Sequence, residues 1–181
     1  MFPVLVGVCI GRAQYAARFQ EQSASVTNGG VDPEQAISVF REIESKIRQT
    51  SQVPLVLPLY LPYFDKANPI YAVLRSANRS SYDVLLANAI PCEGANWCLY
   101  GSVRGADAPF DHTFNDLSPK ARSVRLHHGI TARFIESECA TYCTQAYIEW
   151  SEKGFYYSIG LKAGTLDQLI KIANSAIDAG K

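Results

Sequence analysis

The sequence predicts an α+β fold: an antiparallel meander sheet of about six strands, with an N-terminal and a C-terminal helix packed on one face. Three observations carry this reading. Two segments, one beginning at Asp32 and one at Thr165, repeat apolar residues at helical spacing behind N-capping residues. Between them run short blocks rich in β-branched and aromatic residues. Turn formers separate neighbouring blocks closely enough for antiparallel pairing.

The first helix lies in "VDPEQAISVFREIESKIRQT". Asp32 is placed to cap it, Pro33 fits the first helical position, and Glu34 suits the positive end of the helix. Ile37, Phe40, Ile43 and Ile47 form one apolar stripe. In "QVPLVLPLYLPYF", Pro54, Pro58 and Pro62 recur every fourth residue. They forbid both a helix and a central strand, so an extended strap packed on the body is expected.

The strand blocks are 70–77, 82–89, 97–105, 123–136, 145–151 and 155–162. "NRSS" and "SEKG" read as tight turns. Phe155, Tyr157, Ile159 and Leu161 alternate as one strand face against a core would. Segment 106–122 reads as a long loop, of a length that often serves function or motion. In the last helix Thr165 and Gln168 have capping-box spacing, and Gly164 frees the turn before it. Leu166, Leu169, Ile170, Ala173, Ala176 and Ile177 face inward, and Gly180 suits the position after the last turn.

The folded domain therefore spans 32–181, preceded at 1–31 by an apolar segment and a polar linker, "QEQSASVTNGGV". Residues 2–10 resemble the apolar part of a secretory signal that lacks its positive start; a first strand or short buried helix is the competing reading. Cys9 offers a lipoprotein-like N-terminal membrane tether, although Val8 stands where a small residue is expected. No stretch reaches the roughly 18 apolar residues that span a bilayer. Lys plus Arg and Asp plus Glu number 17 each, so the chain lacks an electrostatic footprint for nucleic acid.

Of the five cysteines, Cys92, Cys98, Cys139 and Cys143 form "CEGANWC" and "CATYC". Local pairs, Cys92–Cys98 and Cys139–Cys143, are the simplest of the three connectivities. Free buried thiols, or a structural zinc module helped by His127 or His128, are the alternatives. The wide gap in "CEGANWC" speaks against zinc, and a C-x-x-C redox pair is absent. Disulfides imply an oxidising, extracytoplasmic setting: periplasmic, secreted or envelope-attached.

The blocks "CEGANWCLYGSVRG", "LHHGITARFIESECATYC", "YIEWSEKGFYYSIGLK" and "LIKIANSAI", taken in order, resemble a family of uncharacterised bacterial proteins, frequent in cyanobacteria and typically secreted or lipoprotein-like. The pattern "LPLYLP", then "W…G…Y", then the "IANS" helix is more distantly similar to the extracytoplasmic domain of unknown function in some anti-sigma and sporulation-related proteins. The resemblance implies the same compartment and fold class. It supplies no catalytic residue.

Chemistry is sparse. "FDHTFND" gathers Asp111, His112 and Asp116 in the long loop, where they could serve a His/Asp-based or metal-dependent hydrolase. On a continuous strand His127 and His128 would point to opposite faces and could not act jointly. A glycine-rich phosphate loop, a Walker pattern and a dinucleotide fingerprint are absent from the sequence, and neither a cofactor nor a catalytic residue is assigned. What remains is aromatic surface. Tyr60, Tyr63, Trp97, Tyr100 and Tyr142 are the candidate binding residues, for a protein, peptide or glycan partner.

Overall fold

The computed structural model describes residues 33–62, 69–110 and 121–180. The N-terminal segment, Asp32, Tyr63, Asp111, His112 and Asp116 lie outside these residues.

Helix α1 (Pro33–Thr50) turns Phe40 and Ile47 fully into the core, while Ile37 stays exposed. The strap follows in extended form and buries Val53, Val56 and Leu61. Seven strands come next: β1 (Tyr71–Asn78), β2 (Ser81–Ala87), β3 (Leu99–Ala106), β4 (Arg122–Arg125), β5 (Thr131–Ile135), β6 (Gln145–Glu152) and β7 (Phe155–Lys162). Helix α2 (Leu166–Ala179) closes the chain.

The sheet order is β1-β2-β3-β7-β6-β5-β4. It is thus two meanders, β1 to β3 and β4 to β7, joined where β3 pairs antiparallel with β7. The strand count exceeds the expected six because block 123–136 is broken. Around His127–Gly129 the chain makes a single 3-10 turn, with His128 at φ 57° and Gly129 at φ 72°. The Leu126 N–H then donates to the Ile130 carbonyl at 2.8 Å, closing a hairpin between β4 and β5.

Cross-strand register builds the core in rungs. Val84, Val103, Ile159, Ile148 and Phe134 stand opposite one another from β2 to β5, and all are buried. The neighbouring rung is Tyr82, Gly105, Tyr157, Trp150 and Ala132. Gly105 is required there: a Cβ would stand 2.4 Å from the Tyr82 ring, which lies across it. The Tyr82 hydroxyl accepts the Val56 N–H at 3.1 Å, tying the strap to the sheet. Burial pushes this phenol far above the usual tyrosine range. Trp150 stacks on Tyr157, their centroids 5.5 Å apart.

Both helices and the strap share this one core. In α2 the capping box is present: Thr165 Oγ1 accepts from the Gln168 N–H, and Gln168 Oε1 from the Thr165 N–H. Its buried face is Leu169, Ile172, Ala173, Ala176 and Ile177, whereas Leu166 and Ile170 are partly covered. Gly180 sits at φ −82°, not in the left-handed region that would demand glycine.

The other sheet face carries charge. Arg75, Asp83, Arg104, Ser158, Glu149 and Arg133 follow one another from β1 to β5, alternating in sign around the serine. Arg75 Nε lies 3.7 Å from Asp83 Oδ2, Arg104 donates to Ser158 Oγ at 3.3 Å, and Ser158 donates to Glu149 at 3.4 Å.

Candidate functional site: a sheet end pinned by two disulfides

Register places both cysteine loops at the same end of the sheet. There β2 ends at Ala87 opposite Leu99, where β3 begins, and β7 ends at Lys162 opposite Gln145, where β6 begins. The loop between β2 and β3 carries Cys92–Cys98, and the loop between β5 and β6 carries Cys139–Cys143. Both pairs are disulfides, joined locally as the sequence implied.

The two bridges differ in setting. Cys92 and Cys98 are buried with Leu85 and Ala87 in a small second apolar cluster. That anchors the first loop to the sheet. The Asn88 N–H donates to the Cys98 carbonyl at 3.0 Å, and the Cys98 N–H to the Ala95 carbonyl at 3.1 Å. Cys139, by contrast, is exposed and Cys143 only half-buried. The base of that loop is closed by Thr144, whose N–H donates to the Glu138 carbonyl at 2.8 Å and whose hydroxyl accepts the Glu138 N–H at 2.9 Å.

Each loop holds an aromatic ring immediately before its second cysteine. Trp97 is 69% exposed and Tyr142 is 71% exposed. Because a cystine fixes the following residue, each ring is presented from a held position rather than a free tip. Lys162 links the loops: its ammonium donates to the Asn96 carbonyl in one, and its strand partner Gln145 begins just past the other. Only β7 separates β3 from β6, so the two loop bases stand two interstrand steps apart, roughly 10 Å.

Five large apolar side chains are exposed among the described residues: Ile37, Tyr71, Ile90, Trp97 and Tyr142. Four of them, all but Ile37, lie at this end, since Tyr71 pairs with Ala87 at the start of β1 and Ile90 sits in the first loop. Tyr71 and Ile90 had no individual signal in the sequence. Only the register reveals that they join Trp97 and Tyr142.

The other sequence candidates lie differently. Tyr100 is half-buried, packs against the core and donates its hydroxyl to the Pro62 carbonyl. Tyr60 likewise packs against the core, and its N–H donates to Ser175 Oγ at 3.2 Å. Tyr63 lies outside the described residues. Neither the proline spacing around Tyr60 nor the cysteine loop before Tyr100 distinguishes these inward rings from exposed ones.

His127 and His128 do act on one partner, against the expectation from strand alternation. The 3-10 turn rotates both rings toward α2. His127 Nδ1 lies 2.9 Å from Asp178 Oδ2, and His128 Nε2 lies 3.0 Å from Asp178 Oδ1. Asn174 Oδ1 accepts the His127 N–H at 2.8 Å. Hydrogen bonds from His127, then His128, hold the Asp178 carboxyl below its ordinary value. All three side chains are about half exposed, and they sit at the opposite end of the sheet from the disulfides. Among the described residues, no cluster of three or more His, Cys, Asp or Glu side chains is arranged to hold a metal. No described helix is long and apolar enough to cross a membrane.

No family model, curated protein or solved structure matches the chain.

Proposed function

We propose that the protein is a non-enzymatic extracytoplasmic binding domain of the bacterial envelope, whose contact surface is the disulfide-pinned end of the sheet. One observation carries this reading: four of the five exposed large apolar side chains among the described residues gather there. Solvent-exposed aromatics on rigid supports suit recognition, because little side-chain entropy is lost when a partner covers them. The two disulfides support an oxidising compartment. The resemblance of the sequence blocks to secreted bacterial families points the same way.

The partner class is a protein, peptide or glycan that offers flat apolar surface. The test is a comparison of wild-type protein with a Trp97→Ala/Tyr142→Ala double variant on peptide and glycan arrays. The reading expects discrete ligands bound by the wild type and lost in the double variant, with the fold retained. Ligands bound equally by both proteins would contradict it.

A hydrolase reading built on His112 needs His127 or His128 beside the 106–122 segment. Both histidines are engaged with Asp178.

A further inference from the structure

The tip of the β1–β2 hairpin carries Asn78, Arg79 and Ser80. This is the chain's one Asn-x-Ser/Thr sequence, the pattern that accepts N-linked saccharides on surface loops of exported proteins. The pattern alone says little, and the fold supplies the rest. Asn78 ends β1 opposite Ser81, where β2 begins, and all three residues of the pattern are exposed.

The Asn78 side chain is held in one orientation. Its Oδ1 accepts from the Ser80 N–H at 2.9 Å, from Ser80 Oγ at 3.0 Å and from Ser81 Oγ at 3.2 Å. These donors fix the oxygen against the turn. The amide nitrogen Nδ2 has no partner among the described residues and is left facing solvent. Arg79 is drawn aside: its Nε donates to Gln52 Oε1 at 2.9 Å, and its carbonyl accepts the Gln52 N–H at 2.9 Å. The Ser80 carbonyl accepts the Asp107 N–H at 3.0 Å. The turn is thus fixed through its backbone while the nitrogen stays open. A saccharide on Nδ2 leaves Oδ1 free to accept as before, so the turn loses none of these bonds.

The position also suits the surface proposed above. β1 starts beside the disulfide loops and ends at Asn78, roughly 25 Å away along the strand. A bulky hydrophilic group there leaves Trp97 and Tyr142 uncovered.

We infer that Asn78 is an N-glycosylation site that takes its saccharide from a polyprenyl-diphosphate-linked donor. Nδ2 forms a bond to the anomeric carbon. The bond from that carbon to the diphosphate oxygen breaks, its electron pair leaves with the polyprenyl diphosphate, and one Nδ2 proton passes to a base of the transferase. Donors of this class stand on the outer face of bacterial membranes and on the luminal face of eukaryotic secretory membranes. The inference therefore rests on the extracytoplasmic reading above and not on a particular host.

The experiment is intact mass and fragment mapping of the protein taken from its native cells, alkylated without reduction. The inference expects a saccharide mass on the peptide spanning Asn78. Expressed in the same cells, Asn78→Asp and Ser80→Ala should each lose that mass, and Ser80→Thr should keep it. Asn78→Asp retains the acceptor oxygen of the turn and so keeps the fold if Ser80→Ala does not. A bare Asn78 with all four loop cysteines unlabelled would overturn this inference and leave the extracytoplasmic reading standing. A bare Asn78 with all four labelled would overturn both. Saccharide that persists in Asn78→Asp, or on Asn78 in Ser80→Ala, would overturn the inference as well, because attachment would not follow this acceptor.

Discussion

The Lys162 ammonium, at the last position of β7, donates to the carbonyl of Asn96, the residue before Trp97. One strand side chain thus holds the ring-bearing loop across the sheet end. Lys162→Met keeps the stem and removes the donor. A hydrogen bond to a charged group contributes roughly 1.5–3 kcal/mol, and partial exposure places this one at the low end. The expected result is faster amide exchange across 93–98 and lower Trp97 fluorescence anisotropy, with exchange in β6 unchanged. Equal exchange in both proteins would mean the link does not restrain the loop.

Tyr82 and Gly105 are matched in a second way. Gly105→Ala places a methyl carbon where the ring now lies. The ring must shift, which strains its hydroxyl bond to Val56. Overpacking of this kind costs about 1–3 kcal/mol. Tyr82→Phe removes the acceptor of the buried Val56 N–H and costs a similar amount, about 1–3 kcal/mol. Urea midpoints check both, and the double variant should cost less than the sum because the two changes share one cause.

The fold and the site were legible in the sequence to different depths. The capping box of α2, the stripe of α1 and the alternation in β7 are local signals, and local signals fix local elements. The pairing of β3 with β7 is not local: nothing in either strand names its partner across some 50 residues of chain. The break at His127–Gly129 was hidden because a β-rich block reads as one strand unless Gly129 is taken as a turn. That same turn brought the two histidines onto Asp178, about 50 positions on. Of the candidate rings, Trp97 and Tyr142 are exposed beside their cysteines, whereas Tyr60 and Tyr100 pack inward. Neither a place in the proline strap, for Tyr60, nor a place just after the second cysteine of "CEGANWC", for Tyr100, tells which side of the chain meets the core.

The two disulfides should separate under reduction. Cys139 is exposed, whereas Cys92 and Cys98 are 6% and 0% exposed. Access controls thiol exchange. Graded dithiothreitol followed by alkylation and peptide mass mapping should label Cys139 and Cys143 first. Each loop is short, so loss of either bridge costs about 2 kcal/mol by the chain-entropy relation, and the domain should stay folded after the first.

The Asp178 contact predicts a pH dependence. Its carboxyl is held below the ordinary value by hydrogen bonds from His127 and His128, so the folded state favours the ionised form. The stabilisation is present above the ordinary carboxylate range, about pH 4, and is lost as pH falls through the lowered value. The thermal midpoint of wild type should exceed that of Asp178→Asn near pH 6. The gap should close as pH drops below about 4. A gap that widened on acidification would contradict the assignment.

The central claim is that the protein works oxidised, with two aromatic rings held by cystines at one sheet end. Intact mass of the protein taken from its native cells, alkylated without reduction, tests this most directly. The account predicts that none of Cys92, Cys98, Cys139 and Cys143 takes the label. Labelling of all four would mean that the loops are not pinned in the cell, and the binding surface and the compartment would fall together.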